Sequence, residues 1–313
     1  MQVFQFHSSS GLAWLACRRL ERLPWLLHAF STRRGGVSEA PAAGLNLGFV
    51  ETDQRERVEE NRRRFFDSLG ARDFSLAHLR QVHSATVYQV MRGAEGGLEY
   101  RPSGYPLPAA RPRLPAGDAL VTDQPGILLS VRGADCLTAL LVDPNRPAVA
   151  AVHAGWRGAL QRIAEKPVGV MRRLFDSDPK RIIAVLGPSI RACCYEVGEE
   201  VVSAFSGVFV HGEKFFRYTP REHSSGALAA RSPMLSLSSP PPGHGPEGQP
   251  VAHLDLVAAV REQLQHAGIR PSNVLVADSC TACRTDLFFS HRKEGKGTGR
   301  TMAVIGIRPP RER

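Results

Sequence analysis

Three short segments carry residue types able to do chemistry. In AVAAVHAGWRGAL an apolar run reaches His153, a turn follows at Gly155, and a helix starts at Trp156 or Arg157. A histidine ending a buried strand stands at the rim of a sheet. There a helix N-terminus offers unpaired N–H groups and positive potential to an anion. Gly155 and Gly158 permit close backbone approach, although the same pattern also describes a histidine that only caps a strand beside a turn. In SVRGADCLTALLVD, Cys136 lies between two apolar strands, directly after Asp135. A buried cysteine behaves as a small apolar residue, but the neighbouring carboxylate is costly to bury without a partner, which hints at a site. In LRQVHSATVYQV, His83 precedes a strand, a placement that also suits a structural histidine. Together, two imidazoles and one thiolate at strand edges suggest a three-ligand zinc site with one open position. Ligands so far apart in sequence form no local signature, so the fold must bring them together.

Other segments carry weaker signals. DSCTACRTDLFFSHRKEGKGTGR contains Cys280 and Cys283 as a CxxC, with Arg284, His291, Arg292 and Arg300 nearby. Such arginines bind phosphate through paired guanidinium N–H groups or simply form a basic exposed loop. Without a second CxxC a structural zinc knuckle is incomplete. Cys193 and Cys194 are adjacent, which is awkward for one metal ion, and a structural role is expected for them. The Gly-rich loop around Arg33, Arg34 and Asn46 lacks the Gly-Lys-Ser/Thr of a phosphate-binding loop, so ATP chemistry is unsupported.

The elements that must position these groups are also legible. Apolar, β-branched runs read as buried strands: ATVYQV, GILLSV, TALLVD, AVAAVH, IIAVLG, NVLVAD and TMAVIGI. Helical periodicity marks DQRERVEENRRRFFDSLG, with Val58, Phe65, Phe66 and Leu69 apolar, and DLVAAVREQLQHAGI, closing on Gly268. WRGALQRIAEKPVGVMRRLF is amphipathic through Leu160, Ile163, Met171 and Leu174, with Pro167 expected to kink or split it. Helices and strands mix without strict alternation, against a doubly wound parallel sheet. Two Gly/Pro/Arg- or Pro/Ser-rich stretches, at about 92–115 and 221–250, are expected as exposed loop insertions, mobile or disordered, in one domain over 1–313.

Composition bounds the function classes. The 313 residues are 42% hydrophobic and 22% charged, enough for a sizeable core. No apolar stretch is long enough to span a bilayer, and the N-terminus does not read as a signal peptide, so a cytoplasmic protein without membrane partners is expected. Six cysteines are too sparse for a disulfide scaffold. The net charge of +10 is scattered arginine with only 7% aromatics, so no specific nucleic-acid partner is expected.

Taken in order, FSTRRGGVSEAPAAGLNLG, VEENRRRF, QVHSA, GDALVTDQPGILLSVRGADCLTALLVD, AVHAGWRG, LGPSIRACCYEVGEEV, DSCTACRTDLFFSHR and TGRTMAVIGI resemble the YfiH-like family. It is also called the laccase-domain or multicopper polyphenol oxidase family. The combination of HAGWRG with ADC is specific to it. The resemblance implies an α+β fold layered α/β/β/α with mixed sheets. It implies a catalytic zinc site at His83, Cys136 and His153, copper being the older assignment, and Asn46 and Arg62 as contacts to nucleoside or phosphate. The implied activity is purine nucleoside phosphorolysis on adenosine, inosine, guanosine or methylthioadenosine, with adenosine deamination beside it, in a monomer or homodimer. The chain departs from the family at His291, where a tyrosine is usual.

Three alternatives stand beside that expectation. Cys136 as nucleophile with His153 as base would suit amide hydrolysis, as in editing of peptidoglycan precursors. A copper polyphenol oxidase would need an axial ligand and a many-histidine cluster that the motifs do not supply. A basic nucleic-acid-binding protein would leave the motifs unexplained and would bind with steep salt dependence.

Overall fold

The computed structural model describes residues 3–103, 114–220 and 250–310. Two mixed sheets form the centre. The first runs β1 (Phe4–Ser9), β2 (Leu12–Cys17), β3 (Leu26–Ser31), β16 (Thr301–Ile307), β8 (Ile127–Gly133), β4 (Ser75–Ala77). Its pairings are antiparallel except β8 with β4. The second runs β15 (Val274–Val276), β11 (Ile183–Leu186), β9 (Leu137–Asp143), β10 (Ala148–Ala154), β7 (Ala119–Thr122), β5 (Val87–Arg92), β6 (Leu98–Pro102). Only β15 with β11 and β7 with β5 are parallel there. A small third sheet joins β12 (Glu196–Val197), β14 (Val251–Leu254) and β13 (Phe216–Thr219).

The two large sheets pack face to face. Leu15, Phe30, Leu129, Val131 and Ile305 of the first meet Val90, Leu140, Val149, Ala151 and Val185 of the second in one apolar cluster. The outer face of the second sheet is covered by helices α3 (Glu165–Phe175), α4 (Glu199–Val208) and α5 (Leu256–His266), through Val168, Met171, Phe205 and Val260. The outer face of the first is covered by α1 (Arg55–Ser68), whose Phe65 packs on Leu27, Leu128 and Val304. The order is therefore α/β/β/α, as the resemblance implies. All seven expected strands are present, and those buried on both faces, such as β9 and β10 with every residue buried, read as continuous apolar runs.

Two expectations need correction. The first stretch expected to be a loop includes a strand: β6 pairs antiparallel with β5 from Tyr88–Pro102 to Arg92–Leu98. LEYRP does alternate, Leu98 and Tyr100 turning onto the inter-sheet core between Glu99 and Arg101, but the run is short and set among Gly, Pro and Arg, which masked the signal. Residues 104–113 and 221–249 of the two expected insertions lie outside the described residues. The long amphipathic helix is two helices, α2 (Trp156–Leu160) and α3, but the break falls at 161–164, where Arg162 has φ of 61°. Pro167 sits in the first turn of α3, where its missing N–H has no intrahelical partner to lose. Leu174 is exposed rather than on the apolar face. Among the described residues no helix is long and apolar enough to cross a membrane.

Candidate metal centre

His153 lies near the end of β10, with the same parity as Val149 and Ala151, and is buried. Its ring Nδ1 is 2.9 Å from Oδ1 of Asp118, and its backbone N–H donates to the Asp118 carbonyl at 2.8 Å. That partner fixes the ring and leaves Nε2 as the free ligand atom. Asp118 heads β7 and is fully buried. Its carboxylate also accepts from the N–H groups of Val82 (3.3 Å), His83 (3.1 Å) and Ser84 (2.6 Å) and from the Ser84 hydroxyl (2.8 Å). One carboxylate thus orients one histidine and shapes the turn that presents the other. His83 takes the left-handed φ of 59° in that turn and is exposed. Burial pushes the Asp118 carboxyl up, but its hydrogen bond and attraction to His153, with the Ser84 donors, hold it below its ordinary value. Asp118 was not singled out in the sequence, although a carboxylate opening a wholly buried strand is the same signal that marked Asp135.

Cys136 sits in the bend between β8 and β9, its Sγ 3.7 Å from Nε2 of His83. The rings of His83 and His153 stand edge to face with centroids 5.0 Å apart. Asp135 before it has φ of 90° and is paired twice: Oδ1 accepts from the Thr281 hydroxyl and Oδ2 from the Arg292 N–H, each at 2.6 Å. The carboxylate that hinted at a site is therefore the anchor of the Cys136 bend. Gly155 closes the floor: a Cβ there would stand 2.7 Å from His83 Cδ2 and 3.0 Å from Cys136 Sγ. Burial raises the Cys136 thiol, but the charges and hydrogen bonds of His153 and His83 outweigh it and bring the thiol down to about 6. Burial lowers His153, while Cys136 and Asp118 push it up to about 9.

These residues fit a metal. The ligand atoms of His83, Cys136 and His153 all lie within 4.8 Å of one another. Metal–nitrogen and metal–sulfur bonds of about 2.0–2.3 Å in a tetrahedron place ligand atoms about 3.3–3.8 Å apart, matching the 3.7 Å of Cys136 and His83. A carboxylate behind one imidazole is the usual support for such a ligand.

Among the described residues, Asn46 and Arg62 make no hydrogen bond or ion pair with this trio. Asn46 is fully buried; its Oδ1 accepts from the N–H of Gly48 (3.0 Å) and Arg300 (2.8 Å), and its Nδ2 donates to Asp53 (2.6 Å). Arg62 donates twice to the Leu47 carbonyl and lies over the Phe49 ring at 4.3 Å. Burial brings its guanidinium down to about 10. Arg62 feels Arg132 and then Glu59, Arg132 feels Arg300, and Arg300 feels Cys136 and Asp135. Among the described residues none of the three arginines forms a salt bridge, unlike Arg33 with Glu294, Arg34 with Asp286 and Arg284 with Asp286.

The structure also brings together residues that sequence spacing left apart. Cys193, Cys194, Cys280 and Cys283 place their sulfurs within 4.8 Å of one another. The adjacent pair and the CxxC are two halves of one cluster, which corrects the reading of an incomplete knuckle beside an unrelated structural pair.

A family model described as multi-copper polyphenol oxidoreductase laccase matches residues 27–308. A protein of Deinococcus radiodurans named purine nucleoside phosphorylase is 36% identical over 91% of this chain and 90% of its own length. A protein of an unknown prokaryotic organism named adenosine deaminase RL5 is 33% identical over 89% of this chain and 93% of its own. The crystal structure of YlmD from Geobacillus stearothermophilus superposes with a TM-score of 0.75 at 30% identity, covering 99% of this chain and 100% of that one.

Proposed function

This chain belongs to the multi-copper polyphenol oxidoreductase laccase family, and from that premise we propose that it is a zinc-dependent purine nucleoside phosphorylase. Its substrates are adenosine, inosine, guanosine or methylthioadenosine together with phosphate, and it deaminates adenosine as a side activity. The chain acts in the cytoplasm as a monomer or homodimer. The observation that carries this reading is a group of three potential metal ligands with no fourth among the described residues, together with half-buried Arg300, whose charge reaches Cys136, and half-buried Arg132 and Arg62, which follow it in an electrostatic chain.

Phosphorolysis needs an anionic nucleophile held against the anomeric carbon. A phosphate oxygen forms the new bond to that carbon, the bond to the purine nitrogen breaks, and its electron pair leaves with the base, which takes up a proton. Arg62, Arg132 and Arg300 carry the charge suited to hold phosphate; each donates to backbone carbonyls but forms no salt bridge among the described residues, and a guanidinium shielded from bulk water holds an anion strongly. We assign Asn46 the task of positioning Arg300, whose backbone N–H it binds. Asp118 orients His153, and Asp135 orients Cys136. His83, Cys136 and His153 would hold a zinc ion, which would supply the Lewis acidity that deamination at purine carbon 6 requires.

A second reading rests on one observation. His153 lies between Asp118 and a Cys136 thiol drawn toward its thiolate, an order that suits a cysteine nucleophile and an amide substrate such as a peptidoglycan precursor. The copper oxidase reading is weaker: among the described residues only one group of potential ligands contains histidine, and oxygen reduction at a copper cluster needs many.

The test is chromatography of the products from adenosine, with and without phosphate, beside Cys136→Ala. Adenine and ribose 1-phosphate formed only with phosphate and intact Cys136 is the expected result. Inosine alone would mean a deaminase. No turnover of any purine nucleoside would sink the reading and leave the amide-hydrolase alternative.

A further inference from the structure

The proposed reaction uses one of two ligand clusters. The other joins Cys193 and Cys194, in the turn where the Cys194 and Tyr195 N–H groups both donate to the Arg191 carbonyl, with Cys280 and Cys283 of the turn closed by Arg284 N–H on the Cys280 carbonyl. The two turns are held side by side by a parallel bridge between Ser189 and Cys280. The Cys283 sulfur is 3.6 Å from that of Cys193 and 3.4 Å from that of Cys194. A disulfide needs its sulfurs about 2.05 Å apart. Four thiolates around an ion at about 2.3 Å stand about 3.8 Å from one another. The observed spacing belongs to the second geometry.

We propose that Cys193, Cys194, Cys280 and Cys283 form a second, structural zinc site, separate from the one that does the chemistry. Four sulfurs fill a tetrahedral ion and leave no position for substrate, which is the mark of a structural rather than a catalytic centre. The half-buried Arg191 guanidinium donates to the Ser279 and Ala277 carbonyls just before Cys280, and its charge is shared between Asp255, Asp278 and the sulfurs of Cys280 and Cys193. Each thiol that ligates gives its proton to solvent, so four thiolates with one divalent ion leave a net double negative charge, which Arg191 partly offsets.

The site has a task in this fold. Its two turns lie 90 residues apart in sequence, and both touch the anchor of Cys136: Thr281 donates its hydroxyl to the Asp135 carboxylate, and the Ile190 N–H donates to the Asp135 carbonyl at 2.9 Å. A cross-link closing so long a loop restricts the unfolded chain strongly. The ion would therefore staple the wall against which the catalytic bend rests.

The experiment is elemental analysis and native mass spectrometry of the full chain purified under reducing conditions. About two zinc ions per chain are expected for the unaltered protein. Cys136→Ala and the double variant Cys194→Ser with Cys283→Ser should each retain about one. Because the double variant can fail to fold, X-ray absorption at the zinc edge of the Cys136→Ala protein gives an independent reading: a shell of sulfur alone. One zinc in the unaltered protein and none in Cys136→Ala would overturn the proposal. So would iron in place of zinc, or the mass deficit of a disulfide between these cysteines in unreduced protein. None of these outcomes depends on which reaction the first site performs.

Discussion

The two thiol-bearing regions differ in what surrounds the sulfur. At the sheet rim, Cys136 has two imidazoles beside it, one of them backed by a buried carboxylate. In the loop cluster each cysteine has other cysteines beside it and a guanidinium at the edge. The first arrangement draws a thiol down to about 6, and its three ligands would leave a tetrahedral ion one open position. In the second, burial and neighbouring thiols push Cys193 up to about 11, so without an ion it stays protonated, and with one it is closed to substrate. Ligand type and count separate a site built to react from a site built to hold.

The sharpest way to break this comparison is to remove one sulfur from each region. Cys136→Ala should lower kcat/KM for phosphorolysis by about 10³-fold or more, the scale of about 4 kcal/mol of lost metal assistance. Cys283→Ser should cost less than about tenfold in kcat/KM and instead lower the melting temperature by roughly 5–10 °C, the scale of a lost cross-link. Equal activity losses would erase the distinction.

Thiol chemistry in reduced, metal-free protein sharpens it further. A thiolate exists above its pKa, so alkylation of Cys136 should rise through about pH 6 and then level, while that of Cys193 should keep rising toward about pH 11. At pH 7 the thiolate fractions differ by about 10⁴, and the lower intrinsic reactivity of the more acidic thiol reduces the advantage of Cys136 to about 10²-fold. Peptide mapping after brief iodoacetamide treatment measures it; preferential labelling of Cys193 would reverse the assignment, since Cys193 is the more exposed of the two.

The support behind His153 comes next. Asp118→Asn should lower zinc affinity at the rim by about 10–100-fold while leaving the zinc held by the four cysteines in place, read by metal content after dialysis against a weak chelator. Loss of both zinc ions together would mean that the substitution unfolds the chain locally rather than mistuning a ligand. The smallest effect is expected at the arginine row: Arg62→Ala should raise KM for phosphate by about tenfold, the worth of one charge-assisted contact of about 1.4 kcal/mol, with unchanged zinc content. An unchanged KM would remove Arg62 from the phosphate site.

Much of the frame was legible beforehand. Strands such as Leu137–Asp143 and Ala148–Ala154 are buried on both faces, so their apolar character has no polar interruptions and stands out locally. α1 and α5 were likewise marked by periodicity and by the glycines that close them, Gly70 and Gly268, both at positive φ. β6 was missed although Leu98 and Tyr100 alternate with Glu99 and Arg101, because five residues amid Gly, Pro and Arg give too short a period to stand out. The three rim ligands were each ambiguous alone and gained meaning only through the family resemblance. Asp118 could have been found by the argument applied to Asp135.

What the sequence determined by itself is therefore what short-range physics controls: which runs are apolar enough to be buried, where helices begin and end, and which residue types are available for chemistry. The tertiary structure alone decided which of those residues meet. Antiparallel β9 and β10 carry Cys136 and His153 to the same end of one sheet, and the Asp118 carboxylate swings His83 onto them. The parallel bridge of Ser189 with Cys280 unites an adjacent cysteine pair with a distant CxxC. Contacts between residues dozens of positions apart follow from strand order and register, and no local periodicity encodes them.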